Sequence, residues 1–356
     1  MASLALGLSG CGLAASGGLF EPNSVVGGPC VRIEDFVGGT EDIVADPDGR
    51  SYYISATDWR RLAAGDRRAK GGVYRAWFVG EALKTELVSD PNLEDFHPHG
   101  LDLWTGVDET GKRVKRLFVV DHPQLGPPSR VVVFDVEPGA GTLTPAPGGV
   151  EGLHQANDVA AVGPATYYVT NDFRATHALG QLYESIFAPR VSNVVLVRNG
   201  AVVGPAAPAA FGNGVVAADR TVYVAESTRG VIRAYRREAD DSLTLLDSYK
   251  AGPSPDNLIL ADGKLWYGGH NNGLKFLAHR KSGKNGSPSR IEVLDPAGGS
   301  SDRSAHRIVF RSPGGPAGGE AANATSVGVP VGDGRVLIGS IYEPRVQVCR
   351  TGDVRP

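Results

Sequence analysis

Short apolar runs, each opened by a polar residue and turned at Gly, Pro or Asp, recur along the chain. Six segments share the pattern: EDIVADPDGRSYYIS from Glu41, HGLDLWTGVDETGKRVKRLFVVDH from His99, NDVAAVGPATYYVTND from Asn157, NGVVAADRTVYVAES from Asn213, DNLILADGKLWYGGH from Asp256 and TSVGVPVGDGRVLIGS from Thr325. Each turns and returns through β-branched and aromatic residues, which fit a pleated, half-buried surface. That predicts a β-hairpin in every repeat. The spacing leaves room for further strands, and GGVYRAWFVG, SRVVVFDVEPG, SNVVLVRNG and GVIRAYRRE supply them. Small antiparallel sheets in series predict an all-β fold, a six-bladed β-propeller in which radial closure protects the sheet edges. A pair of β-sandwiches is the competing arrangement and explains the recurrence less well.

Gly 48 and Pro 24 against a single Met agree with a turn-dense chain. THALGQLYESIF is the best helical candidate, an insertion in the third repeat that would lie over one face of the ring. AHRKSGKNGSPSR reads as a solvated loop and SPGGPAGGEAANA as a flexible excursion. The expected organisation is a signal-like or lipoprotein-like segment and tether over residues 1–29, then one propeller domain over residues 30–356.

A net charge of -3 with scattered basic residues offers no footprint for nucleic acid or an anionic membrane, so small molecules are the expected partners. No stretch of the body has the apolar length of a membrane span. Three cysteines, Cys11, Cys30 and Cys349, cannot build a zinc cluster or a disulfide scaffold. Two near the start and one near the end suit a bridge that staples the termini of a closed ring in an oxidising compartment, with Cys30 and Cys349 the preferred pair. Cys11 sits in LALGLSGCG, which has the small-residue look of a lipoprotein processing site and implies export with a lipid on Cys11. Against that, no Lys or Arg precedes the short apolar run. The expected location is extracytoplasmic, secreted or lipid-anchored.

In a propeller the first strand of each sheet lines the central channel, so the hairpin openings converge on one end of it. They supply Glu41, Asp42, His99, Asn157, Asp158, Asn213, Asp256, Asn257, Thr325 and Ser326. Asp and Asn also recur at strand starts merely as good turn residues. Recurrence at equivalent positions favours a cation, because crowded buried anions need a counter-ion, and oxygen ligands without thiolate point to Ca²⁺. His99 opens one hairpin and His122 closes it, so antiparallel pairing brings them together, and a paired imidazole near calcium is a candidate base. His97, two residues before the strand, reads as a loop residue whose loss does little.

The motifs FHPHG, VVDHP, NDVAAVGPATYYVTND, GNGV, PDNL and LWYGGHNNGLKF, in this order, resemble the calcium-dependent paraoxonase/arylesterase family, whose members are lactonases and esterases on a six-bladed propeller. The resemblance runs from about Cys30 to Cys349. It implies two calcium ions. A catalytic ion would be held by Glu41, Asn157, Asn213, Asp256 and Asn257, and a structural ion deeper in the channel by Asp42, Asp158 and the main-chain carbonyl of Leu101. It also implies His99 and His122 as a histidine dyad, and Cys30 with Cys349 as a terminal disulfide. Asp121 departs from the pattern where an amide commonly precedes the second dyad histidine, and Gly269 where vertebrate members carry a free cysteine before the residue matching His270. The long amphipathic N-terminal segment of lipoprotein-associated vertebrate members has no counterpart, so particle association is not carried over.

The implied activity is hydrolysis of lactones and aryl esters, with calcium stabilising the oxyanion and a water activated by His99, or by a carboxylate such as Asp256, attacking. A sugar lactonase of the gluconolactonase type and a non-catalytic, calcium-stabilised binding propeller are the alternatives. Specificity is expected from SATDWRRLAAGDRRAK, FRATHALGQLYESIFAP and HNNGLKF over the channel mouth.

Overall fold

In the computed structural model all six hairpins form. Their strands are Gly39–Ala45 with Ser51–Thr57, Pro98–Val107 with Arg113–Asp121, Ala156–Ala161 with Thr166–Asn171, Gly212–Ala218 with Thr221–Glu226, Pro255–Ala261 with Lys264–His270, and Thr325–Gly332 with Arg335–Ser340. The structure describes residues 24–66, 68–137, 139, 142–300, 305–316 and 318–355. Cys11 and the rest of the first segment lie outside them.

A third strand joins each hairpin: Gly71–Val79, Ser129–Val136, Ser192–Arg198, Val231–Arg237, Ser289–Leu294 and Val346–Arg350. Outer strands complete the groups, and every pairing is antiparallel. The last group takes its outer strand, Cys30–Ile33, from the other end of the chain. First and last groups are linked through one residue pair, Thr40 opposite Ser340. The six first strands touch in cyclic order, Gly39–Ala45 meeting Pro98–Val107 and so on round to Thr325–Gly332, which returns to Gly39–Ala45. The ring is therefore closed, and the fold is a β-propeller.

Its core is shared out between neighbouring sheets. Ile43, Ile54 and Tyr74 of the first group pack with Val327, Leu337 and Val346 of the last, and Phe118 and Val131 pack with Val159 and Tyr167. Each such sheet buries both faces against its neighbours, which is why Ser51–Thr57 is buried along its whole length, its Ser51, Ser55 and Thr57 included.

At the rim, Cys30 lies opposite Cys349 in the strand register, and a disulfide joins them. The expected tether is shorter than its sequence range. Val26 is buried and forms an antiparallel bridge with Arg311, so residues just before Cys30 dock on the outer strand His306–Ser312.

Among the described residues, three α-helices follow return strands: α1 (Trp59–Ala63), α2 (Ala178–Phe187) and α3 (Gly273–Lys281). The segment expected as a solvated loop is corrected here, because α3 runs through its first residues and His279, Ser287, Ser289 and Arg290 are buried. Similarly, the expected flexible excursion ends in buried Asn323 and Ala324, with Asn323 Oδ1 accepting from the Ser287 and Gly315 amides. No helix among the described residues is long and apolar enough to cross a membrane.

Candidate active site at the channel mouth

Residues alternate faces along a regular strand, so two consecutive polar residues cannot both line a channel. The structure resolves this with a bulge at every hairpin opening. Glu41 and Asp42 stand opposite Ser55 alone, between the pairs Thr40–Ala56 and Ile43–Ile54. The same two-against-one step falls at His99 and Gly100, Asn157 and Asp158, Asn213 and Gly214, and Asp256 and Asn257. In the last sheet Ser326 is the extra residue. A bulge re-aims side chains and frees a backbone amide. Ser55 and Thr170, opposite two of the bulges, use their hydroxyls to accept the amides of Asp42 and Asp158, at 3.0 and 3.1 Å. Neighbouring bulges also come very close. A Cβ on Gly100 would lie 2.4 Å from Asp158 Oδ1, and one on Gly214 would lie 2.4 Å from the Asp256 carbonyl oxygen, so neither position admits a side chain.

Three asparagine amides are oriented by their neighbours. The Nδ2 of Asn157 donates to Asp172 Oδ1 (2.7 Å), that of Asn213 to Ser227 Oγ (3.0 Å), and that of Asn257 to Glu41 Oε1 (2.9 Å). Their carbonyl ends have no donor. Asn157 Oδ1, Asn213 Oδ1, Asn257 Oδ1 and Glu41 Oε2 are all buried without a hydrogen-bond partner. Buried acceptors left unmatched are costly, and amide and carboxylate oxygens together are the ligands calcium takes. No group of three or more His, Cys, Asp or Glu side chains arranged to hold a metal occurs among the described residues. The donor set is thus weighted towards amide oxygen, and it fits a hard cation. The electrostatics agree. Burial, then Asp42 and Asp256, push the Glu41 carboxyl well above its ordinary value, and burial with Asp42 does the same to Asp158. Burial raises Asp42 and Asp172 to about 7. Positive charge is what such a cluster lacks.

Asp42 and Asp158, the pair matched to the deeper ion, have work of their own. Asp42 accepts from Ile43 (2.8 Å) and from Leu101 in the next sheet (2.9 Å), and Asp158 from Val159 (2.8 Å) and Val215 (2.7 Å). Asp102 repeats the arrangement with Leu103 and Ala161. These carboxylates stitch successive sheets together through backbone amides. Sequence reasoning did not find Asp102.

His99 Nδ1 is 2.8 Å from the Asn157 carbonyl oxygen. A carbonyl only accepts, so Nδ1 carries the hydrogen and the neutral ring keeps its lone pair on Nε2, 3.8 Å from Glu41 Oε1. His122 meets His99 edge to face, with ring centroids 5.3 Å apart, as the hairpin geometry predicts. Trp59 of α1 lies edge-on to both rings, at 5.1 and 5.5 Å. Burial lowers both imidazoles, His122 to about 3 with the charge of His99 adding to the effect, so both stay neutral near neutral pH.

His97 lies in the loop before the strand, as expected, but it is buried and not without partners, with Nδ1 2.8 Å from the His122 carbonyl oxygen and Nε2 3.2 Å from that of Ala69. Two further residues belong to the site and were missed as functional. His270 Nε2 is 3.0 Å from Asp256 Oδ2, and its ring stacks on Phe276 of α3 at 4.0 Å. Asp172 holds Asn157. Both stand at the ends of return strands, where the reasoning that paired His122 with His99 would also have placed them beside Asp256 and Asn157.

Acids, amides and a neutral histidine pair thus gather where the first strands of a closed β-propeller begin. The family model described as Arylesterase matches residues 70–349, and the chain belongs to the arylesterase family. It is 27% identical over 321 residues to human "Serum paraoxonase/arylesterase 2", covering 88% of this chain and 86% of that protein. It is also 27% identical over 358 residues to human "Serum paraoxonase/lactonase 3", covering 95% of this chain and 97% of that one. A solved luciferin-regenerating enzyme shares the fold, with a TM-score of 0.50 and 10% identity over 92% of this chain and 98% of that chain. Family membership supports a hydrolase function.

Proposed function

We propose that the chain is a calcium-dependent carboxylic ester hydrolase acting on lactones and aryl esters outside the cytoplasm. The observation that carries this reading is the set of partnerless buried oxygens on Glu41, Asn157, Asn213 and Asn257 beside the neutral His99 ring. These residues and Asp256 would hold calcium, which would supply positive charge to an ester carbonyl oxygen. His99 Nε2 takes a proton from the attacking water while Nδ1–H stays fixed on the Asn157 carbonyl, and the Glu41 carboxylate faces the imidazolium that forms. The acyl C–O bond breaks as the water oxygen adds, and His99 returns the proton to the departing oxygen. Trp59 and His122 close off one side of the ring, which keeps it oriented and dry.

A second, structural ion at Asp42, Asp158 and the Leu101 carbonyl is part of the proposal, supported by the raised carboxyls there. The Cys30–Cys349 bridge suits an oxidising compartment, and a lipid on Cys11 would fix the protein to an envelope surface. Hydrolysis of lactones and aryl esters, measured with chelator and after calcium is restored, tests the reading. Loss and recovery of turnover are expected. Full turnover after verified calcium removal overturns it, and absence of turnover with calcium bound favours the binding propeller.

A further inference from the structure

The bonds around His97 exceed what a turn before a strand requires. Its main-chain amide donates to Asp121 Oδ1 at 2.7 Å, and its carbonyl accepts the His122 amide at 3.2 Å. Its ring then reaches two carbonyls, that of His122 and that of Ala69, so every polar group of the residue is engaged. Asp121 is buried and sits across from Arg130 in the strand register, with Arg130 Nε 2.6 Å from its second oxygen. The carboxylate is thereby pinned on one side and holds His97 on the other.

The two carbonyls belong to different pieces of the site. One is on His122 itself. The other, on Ala69, lies after α1, in a segment that the Asp58 amide closes by donating to the Lys70 carbonyl, and α1 at its start carries Trp59 against both dyad rings. The backbone is tight here as well, since a Cβ on Gly71 would meet the Phe96 carbonyl at 2.4 Å and His97 Cα at 2.9 Å. Both carbonyls only accept, so a ring nitrogen that carries hydrogen donates to the one it faces.

We propose that His97, oriented by Asp121 and Arg130, is a positioning residue that ties His122 to the segment following α1 and so sets the geometry of the His99 and His122 pair. This rests on the reading of those two rings as the proton-transfer pair. A group that acts by holding another within a few tenths of an ångström shows in kcat more than in KM.

The test uses His97→Ala, His97→Gln and Asp121→Asn in the full chain, with three readouts: steady-state hydrolysis of a lactone and an aryl ester, the rise in Tm on adding calcium, and the imidazole signals of His122 in histidine-labelled protein. His97→Ala is expected to lower kcat about ten-fold or more with KM within about two-fold, to shift the His122 signals, and to leave the calcium-induced rise in Tm in place. His97→Gln, which restores an N–H donor, should recover part of kcat, and Asp121→Asn should move the same His122 signals. If His97→Ala does not fold, the other two variants carry the test. Unshifted His122 signals, or a kcat within about two-fold of the parent in all folded variants, overturn the proposal. His99→Ala with full activity sinks the proton-transfer reading instead, while the His122 signals still report whether His97 holds that ring.

Discussion

Asn257 donates its amide twice to Glu41, to Oε1 at 2.9 Å and to the main-chain carbonyl at 3.0 Å, although 216 residues separate the two. The fifth sheet thus reaches past the sixth to the first, and Ser326 of the sixth also donates to the Glu41 carbonyl. The contact uses the Asn257 amide nitrogen and Glu41 Oε1, and it leaves Asn257 Oδ1 and Glu41 Oε2 without a hydrogen-bond partner. Asn257→Ala is expected to weaken calcium binding at least about ten-fold and to lower the calcium-dependent gain in Tm. Titration of calcium-free protein against a competing chelator measures the first and thermal melting the second.

Removing a charged group at the site should hurt more than removing an orienting one. Asp256→Ala is expected to nearly abolish turnover of every substrate. His122→Ala should cost less than the ~10²–10⁴ of a positioned base, and unequally for lactones and aryl esters, whose leaving groups differ. His270→Ala, which strips Asp256 of its partner, should fall between them. Initial rates with saturating calcium rank the three. Equal rates for Asp256→Ala and the parent, with calcium bound, contradict the assignment.

Acid should destabilise the fold through His122. Its folded-state pKa of about 3 lies below the ordinary imidazole value, so between about 6.5 and 3 the unfolded chain binds a proton that the folded chain refuses. The stability contributed by the neutral ring is present above about 6.5 and is lost as pH falls towards 3. His122→Phe removes this titration and should show a shallower fall of Tm with acidification over that window. Parallel curves for the two proteins would contradict it.

Reduction of the Cys30–Cys349 bridge should lower stability by about 2–5 kcal/mol, because the open chain regains the freedom of a very long loop. Denaturant unfolding with and without reductant measures the loss. Thiol counting on unreduced, denatured protein should find neither of these two cysteines free.

The hairpins were legible because each apolar run is bounded by its own turn residues, and their order implied the ring. Their openings also named Glu41, Asn157, Asn213 and Asp256. What the chain could not display is the bulge that lets Glu41 and Asp42 both serve the channel, since register is set by the partner strand and not by local composition. His279 shows the same limit. Flanked by Arg280 and Lys281 it reads as solvated, yet it is buried with Nε2 3.1 Å from Glu343 Oε1 and 3.0 Å from an Arg60 nitrogen, both remote in sequence. The partners of His97 were hidden for this reason too, Ala69, Asp121 and His122 all lying on other segments.

The strand Cys30–Ile33 pairs only with Val346–Arg350 among the described strands. During synthesis it therefore waits while a further 319 positions of chain are made before its sheet partner exists. A nascent chain stalled anywhere in between presents an unclosed stack of sheets with a free edge at each end, the form most exposed to pairing with a neighbour. The ring cannot close until Val346–Arg350 has been made, and the cost of any pause before that point falls on the edge that Cys30–Ile33 leaves open.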